Sequence, residues 1–324
     1  MKVFVTRQIP NMGIDMLKNK GWEVVVSPHD RVLKKDELIE YLRKDKYDAV
    51  LSLLTDKIDA EVLDVIKESG AKILANYAVG FDNIDIKSAI ERGIAVTNTP
   101  GVLTDSVAEH AFTLMLSIAH RVAESDRFTR AGKYIGWEPM LLLGTDVSKK
   151  ILGIVGLGRI GSRVAYHAVK GFDMKVLYYD VKRSEDFEKE FQAEYRENVD
   201  DIFKEADFVS IHVPLLPATR HLVDEKKLGM MKKTAYLINT SRGPIVDEKA
   251  LVEALKNGVI RGAALDVFEN EPSLAPGLAE LENVILTPHT ASATEETRQA
   301  MGELASRNII EALEGREPPN LVKI

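Results

Sequence analysis

Ile151-Leu-Gly-Ile-Val-Gly156-Leu-Gly158-Arg-Ile-Gly161-Ser-Arg-Val-Ala165 is the stretch on which the reading of this 324-residue chain turns. An apolar, branched run enters Gly-x-Gly-x-x-Gly, and beyond it Ile160, Val164 and Ala168 recur at helical spacing. The pattern predicts a strand, a tight turn and a helix. Gly156 permits the turn, Gly158 lets backbone approach a pyrophosphate, and Gly161 lets helix and strand pack closely, with the phosphates at the positive helix N-terminus. A second apolar run, 174–179, ends in Asp180, 24 residues past Gly156. An acid at that distance suits the hydroxyls of an adenine ribose and repels a 2′-phosphate. NAD(H) is therefore expected ahead of NADP(H), with Lys182 and Arg183 the reason for keeping NADP(H) open.

On the N-terminal side of this unit, apolar runs at 3–5, 24–26, 49–53, 72–75 and 94–97 alternate with helical patterns such as Glu37-Leu-Ile-Glu-Tyr-Leu42 and Ala60-Glu-Val-Leu-Asp-Val-Ile66. Such alternation means a parallel sheet covered on both faces. This first unit has no glycine fingerprint and is not expected to hold the dinucleotide. One long helix is expected over 104–130, opened by Thr104-Asp-Ser. The stretch Gly132-Lys-Tyr-Ile-Gly-Trp-Glu-Pro-Met140 reads as irregular, its aromatics serving packing or a subunit contact ahead of a lid.

On the C-terminal side, a charged and exposed stretch is expected after Asp180, through Asp201. Strand runs follow at Phe208-Val-Ser-Ile-His-Val213, Ala235-Tyr-Leu-Ile-Asn239, Gly262-Ala-Ala-Leu-Asp266 and Val284-Ile-Leu286. Ligands bind at the carboxyl ends of strands in such a sheet, which singles out Pro214, Arg242, Asp266 and His289 by position. Residues 294–315 read as one amphipathic helix burying Met301, Leu304, Ile309 and Leu313.

Composition narrows the class. The length allows two domains, each with its own core. A net charge of −7 argues against a nucleic-acid partner, and no apolar run is long enough to span a membrane. The absence of cysteine removes disulfides, thiolate catalysis and zinc-thiolate sites, and no metal site is read. The N-terminus shows no signal-peptide layout, so a cytoplasmic location is expected.

Three polar clusters stand at strand ends: Asn239-Thr-Ser-Arg242-Gly-Pro, Asp266-Val-Phe-Glu269-Asn-Glu271-Pro272 and Thr287-Pro-His289-Thr-Ala-Ser292. Together with the fingerprint they resemble the D-isomer-specific 2-hydroxyacid dehydrogenases. The resemblance runs from Asn76-Tyr-Ala-Val-Gly80-Phe-Asp82-Asn-Ile-Asp85 to the last helix. Within the family it is greatest to the glyoxylate/hydroxypyruvate reductases, through Trp137-Glu-Pro-Met-Leu-Leu-Leu-Gly144 and Asn98-Thr-Pro-Gly-Val-Leu-Thr-Asp105. It implies an α/β protein of two doubly wound parallel-sheet domains, Rossmann-like and flavodoxin-like, with the active site in the cleft between them. Residues 1–98 with 291–324 would bind substrate, and 99–290 would bind NAD.

Hydride transfer to a 2-oxo acid needs a proton donor for the carbonyl oxygen, a cation for the carboxylate and a group that tunes the donor. His289, Arg242 and Glu271 fit these roles. His289 would protonate the developing alkoxide, Glu271 would favour its imidazolium form and raise its pKa, and Arg242 would fork onto the substrate. The competing readings are a capping or core histidine, a salt-bridging arginine and a solvated carboxylate. That last reading is expected to hold for Glu269, while His110, His120 and His212 are read as structural.

The resemblance also implies that Val79 and Gly80 present backbone amides to the substrate carboxylate. Leu53 and Leu54 are pocket wall or, equally, core. Asp266 would orient the nicotinamide carboxamide, Arg159 and Ile160 would give amides to the pyrophosphate, and Pro214 and Thr240 would border the cofactor. Ala291 stands where many relatives carry glycine. The expected reaction is NADH-dependent reduction of glyoxylate or hydroxypyruvate to glycolate or D-glycerate, in a homodimer formed through the cofactor domains. The alternatives are a D-lactate or D-3-phosphoglycerate dehydrogenase and, from another class, an NADH-sensing co-repressor without turnover.

Overall fold

The computed structural model describes residues 1–323. Along the chain, β1 (Lys2–Val5), α1 (Asn11–Asn19), β2 (Glu23–Val26), α2 (Lys35–Arg43), β3 (Ala49–Leu53), α3 (Ala60–Ser69), β4 (Ile73–Tyr77), α4 (Ile86–Glu91) and β5 (Ala95–Thr97) alternate. Then come α5 (Thr104–Ala119), α6 (Val122–Arg130), β6 (Ile151–Val155), α7 (Arg159–Phe172), β7 (Lys175–Tyr179), α8 (Glu185–Phe191), β8 (Glu194–Tyr195), α9 (Val199–Glu205) and β9 (Phe208–Ile211). The chain closes with α10 (Glu225–Met230), β10 (Tyr236–Asn239), α11 (Glu248–Lys256), β11 (Gly262–Leu265), β12 (Val284–Leu286) and α12 (Glu295–Leu313). Two compact units result, Met1–Leu103 with Ala293–Ile324, and Thr104–Ser292.

In the first unit all five strands are parallel, in the order β2-β1-β3-β4-β5. Aspartates start two of its helices: Asp59 accepts the Val62 N–H at α3, and Asp85 accepts the Ser88 N–H at α4. One face buries Phe4, Val50, Leu63, Ile66 and Leu74 beneath α2 and α3. α12 packs on α1 and β4. It is less amphipathic than its sequence suggests: Met301 and Ile309 are buried, but so are Gly302, Ala305, Ser306 and Asn308, while Leu304 and Leu313 are only half-buried. The cause is a small-residue contact in which Ser306 Oγ donates to the Gly13 carbonyl at 2.8 Å.

The second unit is a seven-stranded parallel sheet, β12-β11-β10-β9-β6-β7-β8, with an apolar core on each face. Because both faces are covered, β9 and β10 are buried at every position and β6 at all but its first, and their residues do not alternate between core and solvent. The strand order reverses at β6, so the fingerprint turn and the loop after β9 lie side by side at the carboxyl edge.

Three expectations are corrected in this unit. The helix over 104–130 is two helices, broken where Arg121 takes a left-handed conformation (φ 55°). The break is set from afar, because the Thr145 N–H takes the Ala119 carbonyl at 2.9 Å and Gly144 runs so close that a Cβ there would lie 2.4 Å from that oxygen. The charged stretch after Asp180 is not simply exposed: it folds into α8, β8 and the start of α9, and it buries Phe187 and Ala193. Of packing and subunit contact, the two uses expected for the aromatics of 132–140, the structure removes inward packing: Tyr134 and Trp137 are 55% and 82% exposed, beside Ile135 and Met140 at 89% and 75%.

Candidate active site

β6 delivers the chain to the fingerprint, and its glycines answer three separate constraints. Gly156 has φ +99°, and a Cβ there would lie 2.8 Å from the backbone of His212 and Val213. A Cβ on Gly161 would lie 2.1 Å from the Gly156 carbonyl, whereas one on Gly158 would meet nothing within 4 Å. The sequence therefore closes the turn at two glycines and leaves the third facing open space. Among the described residues no side chain caps α7, so the amides at its start, including those of Arg159 and Ile160, are available to an anion.

Asp180 follows β7 directly, beside that turn. Its carboxylate accepts the Leu157 N–H at 2.7 Å and the Lys182 N–H at 3.2 Å. Arg183 turns to Glu188, with bonds of 2.8 and 2.7 Å, and lies over the Tyr195 ring. On the other side of the turn, the Pro214 carbonyl accepts the Thr219 hydroxyl. At the end of β10, Thr240 is 8% exposed and its Oγ1 has no hydrogen-bond partner among the described residues. An orphaned buried hydroxyl, an uncapped helix start and an open glycine edge are what a bound dinucleotide would complete.

The loops after β10, β11 and β12 carry Arg242, Glu271 and His289. Asn239, 1% exposed, templates the first: its Oδ1 accepts the Ser241 N–H and its Nδ2 donates to the Arg242 carbonyl. The second and third loops are tied together by Asp266, which is fully buried. It accepts the Thr287 hydroxyl at 2.6 Å and the Thr290 and Ala291 amides at 2.8 Å each, with His110 Nε2 3.4 Å away. Burial opposes its charge, but the hydrogen bonds from His110, Thr287 and the two amides prevail and hold its carboxyl below the ordinary aspartate range.

This anchoring shapes the turn at His289. The histidine has a left-handed backbone (φ 53°), and its N–H donates to the Asp266 carbonyl at 2.8 Å. Its Nδ1 lies 3.0 Å from Glu271 Oε2, while Glu271 Oε1 accepts the Phe268 N–H at 3.0 Å. Burial works against ionisation of Glu271. Its contacts with His289 and Phe268 and the charge of Arg242 more than offset that and hold the carboxyl below its ordinary value. The two side chains are about one-third exposed, so the pair is open to small molecules.

Glu269 corrects the sequence reading. It is not a solvated loop carboxylate: its side chain is 17% exposed and holds His221 Nε2 at 2.6 Å, and its N–H donates to the buried Glu248. Of the other histidines, His110 reaches Thr287 and Asp266, and His212 lies 2.8 Å from Ser210 Oγ. Burial pushes the His212 imidazole down to about 4.

In the first unit Leu53 and Leu54 are half-buried at the end of β3. The Leu53 N–H donates to Asp56 at 2.8 Å, and the Leu53 carbonyl accepts Asn83 Nδ2. Val79 and Gly80 are half-buried in the bend after β4.

Residues 112–291 match the model of the D-isomer-specific 2-hydroxyacid dehydrogenase NAD-binding domain. The chain is 51% identical over 324 residues to a glyoxylate reductase of Korarchaeum cryptofilum, covering 99% of this chain and 95% of that protein. The chain belongs to the D-isomer-specific 2-hydroxyacid dehydrogenases. Among solved structures it resembles the TT0316 protein of Thermus thermophilus, with 42% identity, full coverage of both chains and a TM-score of 0.91. It also resembles an NADPH-dependent glyoxylate/hydroxypyruvate reductase of Sinorhizobium meliloti, solved with NADP and malonate, with 30% identity, coverage of 99% and 96%, and a TM-score of 0.85.

As a member of this family the chain is an oxidoreductase acting on a CH–OH group with a nicotinamide cofactor. The contacts of Asn239, His110 and Thr287 at this candidate site are not shown by the sequence: Asn239 templates its own loop, while His110 from α5 and Thr287 from the loop after β12 reach Asp266. The methyl of Ala291, read as a departure from the family pattern, is buried, and the residue's amide is one of the two that hold Asp266.

Proposed function

We propose that this dehydrogenase uses NADH to reduce glyoxylate and hydroxypyruvate, giving glycolate and D-glycerate. The observation that carries the reading is the His289–Glu271 pair, 3.0 Å apart and reached by the charge of Arg242. When bound, the nicotinamide supplies the hydride. His289, held through Nδ1, has Nε2 to give the proton that the new hydroxyl needs, and Glu271 stays ionised to favour the imidazolium. Arg242 offers a forked contact to the 2-oxo acid that a lysine lacks, and the Val79 and Gly80 amides receive its carboxylate.

Gly156, Gly158 and Gly161 with the Arg159 and Ile160 amides would hold the pyrophosphate. Asp180 would hold the adenine ribose, Pro214 and Thr240 would border the dinucleotide, and Asp266 would serve its carboxamide end. NADH is preferred because the Asp180 carboxylate stands beside the turn and Arg183 is committed to Glu188. A homodimer is proposed on the exposed apolar side chains of Ile135, Trp137 and Met140, which a second copy would cover.

Initial rates of NADH and NADPH oxidation with glyoxylate, hydroxypyruvate, pyruvate and 3-phosphohydroxypyruvate test the reading. Fastest turnover of glyoxylate or hydroxypyruvate with NADH is expected. Faster turnover of pyruvate or the phosphorylated acid would overturn the substrate, and a preference for NADPH would overturn the Asp180 argument.

A further inference from the structure

Three successive carbonyls in the bend after β4 are each held by a donor. Ala78 accepts the Thr99 N–H at 2.8 Å, Val79 accepts Asn98 Nδ2 at 2.8 Å, and Gly80 accepts Asn76 Nδ2 at 2.9 Å. In a planar trans peptide the C=O and the following N–H point in opposite directions. The N–H groups of Val79, Gly80 and Phe81 are thereby turned away from those donors.

Two of the donors, Asn98 Nδ2 and Thr99 N, belong to adjacent residues, so the Ala78 and Val79 carbonyls face one side and the Val79 and Gly80 amides face the other. An extended strand would alternate them. The bend at Ala78 and Val79 replaces alternation with convergence. Among the described residues, none of these three amides donates a hydrogen bond.

We infer that Asn76 and Asn98 are positioning residues, which aim the Val79 and Gly80 amides at the substrate carboxylate before it arrives; this rests on the carboxylate assignment made above. The Asn76 side chain and the Asn98 backbone are both held in place. Asn76 is fully buried, and its Oδ1 accepts from Ser52 Oγ at 3.2 Å and Asn83 Nδ2 at 3.4 Å. The backbone of Asn98 is held on both sides, its N–H by the Asn320 carbonyl and its carbonyl by Asn308 Nδ2. Asn308, itself fully buried, takes the Asn320 N–H on its Oδ1. A donor that fixes an amide's direction removes the reorganisation that binding would otherwise cost.

Asn98→Ala in the full-length, NADH-loaded enzyme carries the test, since a change at fully buried Asn76 risks the fold. Oxalate binding is followed by calorimetry, together with the glyoxylate KM, kcat and NADH affinity. The oxalate Kd and glyoxylate KM should each rise about ten-fold, while kcat and NADH affinity change little. Asn98→Gln, which keeps an amide donor, should recover part of the loss. If the wild type reduces glyoxylate but Asn98→Ala leaves both constants unchanged, or weakens NADH equally, the positioning role is overturned and the function stands. A wild type that binds oxalate and loses it in Asn98→Ala, yet reduces no 2-oxo acid, keeps the positioned amides and overturns the function. A wild type that does not bind oxalate overturns the inference.

Discussion

Asp266 accepts the amides of Thr290 and Ala291 through its carboxylate and the amide of His289 through its own carbonyl, so one buried residue sets the backbone on which the histidine stands. The Nδ1 atom of that histidine meets Glu271, which is itself fixed by the Phe268 amide. The proposed proton-handling pair is thus positioned at both ends, by Asp266 and by the Phe268 amide.

Glu271→Gln removes a charge that favours the imidazolium form of His289. Reduction needs a proton on His289 Nε2, and a neutral amide at 271 no longer favours it. The kcat for glyoxylate reduction at neutral pH should drop by about 10- to 100-fold. Steady-state kcat at saturating glyoxylate and NADH is the check, and an unchanged kcat would remove Glu271 from its role.

Asp266→Asn puts an NH2 group among donors. At least one of the Thr287, Thr290 and Ala291 donors then loses its acceptor, at a cost of about 1–3 kcal/mol. Thermal or denaturant unfolding measures this. Because the native carboxyl lies below the ordinary value of 3.8, its contribution to stability is complete above that pH and is lost as pH falls through the native value. The stability gap between wild type and variant should therefore hold at neutral pH and narrow below pH 3.8.

Asp180→Ala removes the carboxylate that would exclude a 2′-phosphate, together with the acceptor of the Leu157 N–H. The KM for NADH should rise about ten-fold and that for NADPH should fall or hold. Paired saturation curves for the two cofactors measure it, and equal losses with both would show Asp180 to be only a turn-former.

Trp137→Glu places a charge in the exposed apolar segment that contains Ile135 and Met140. If this segment is the subunit contact, light scattering should show a dimer in the wild type and a monomer in the variant at micromolar concentration. A variant that remains dimeric would place the contact elsewhere.

The sequence is legible where one residue's chemistry suffices. Branched apolar runs announce the strands because both sheet faces are covered, and the fingerprint glycines announce the turn because two of the three have no room for a Cβ. It is illegible where a distant segment decides. The break after Ala119 depends on Gly144 and Thr145, and the burial of Phe187 depends on a helix too short to show a period. At the site, the residue types at 242, 271 and 289 stand out, whereas two glutamates two residues apart cannot be told apart by spacing. Only the fold shows Glu269 on His221 and Glu271 on His289.

β12 is a three-residue strand at the edge of its sheet, the kind of place where local opening is easiest. The loop that leaves it is nevertheless fastened, by three backbone amides, to a residue at the end of the neighbouring strand β11. In amide hydrogen exchange, His289, Thr290 and Ala291 should exchange with the slow rhythm of the sheet interior and not with that of a frayed edge. His289, the proposed acid/base residue, sits at the border of its sheet and borrows its stillness from the middle.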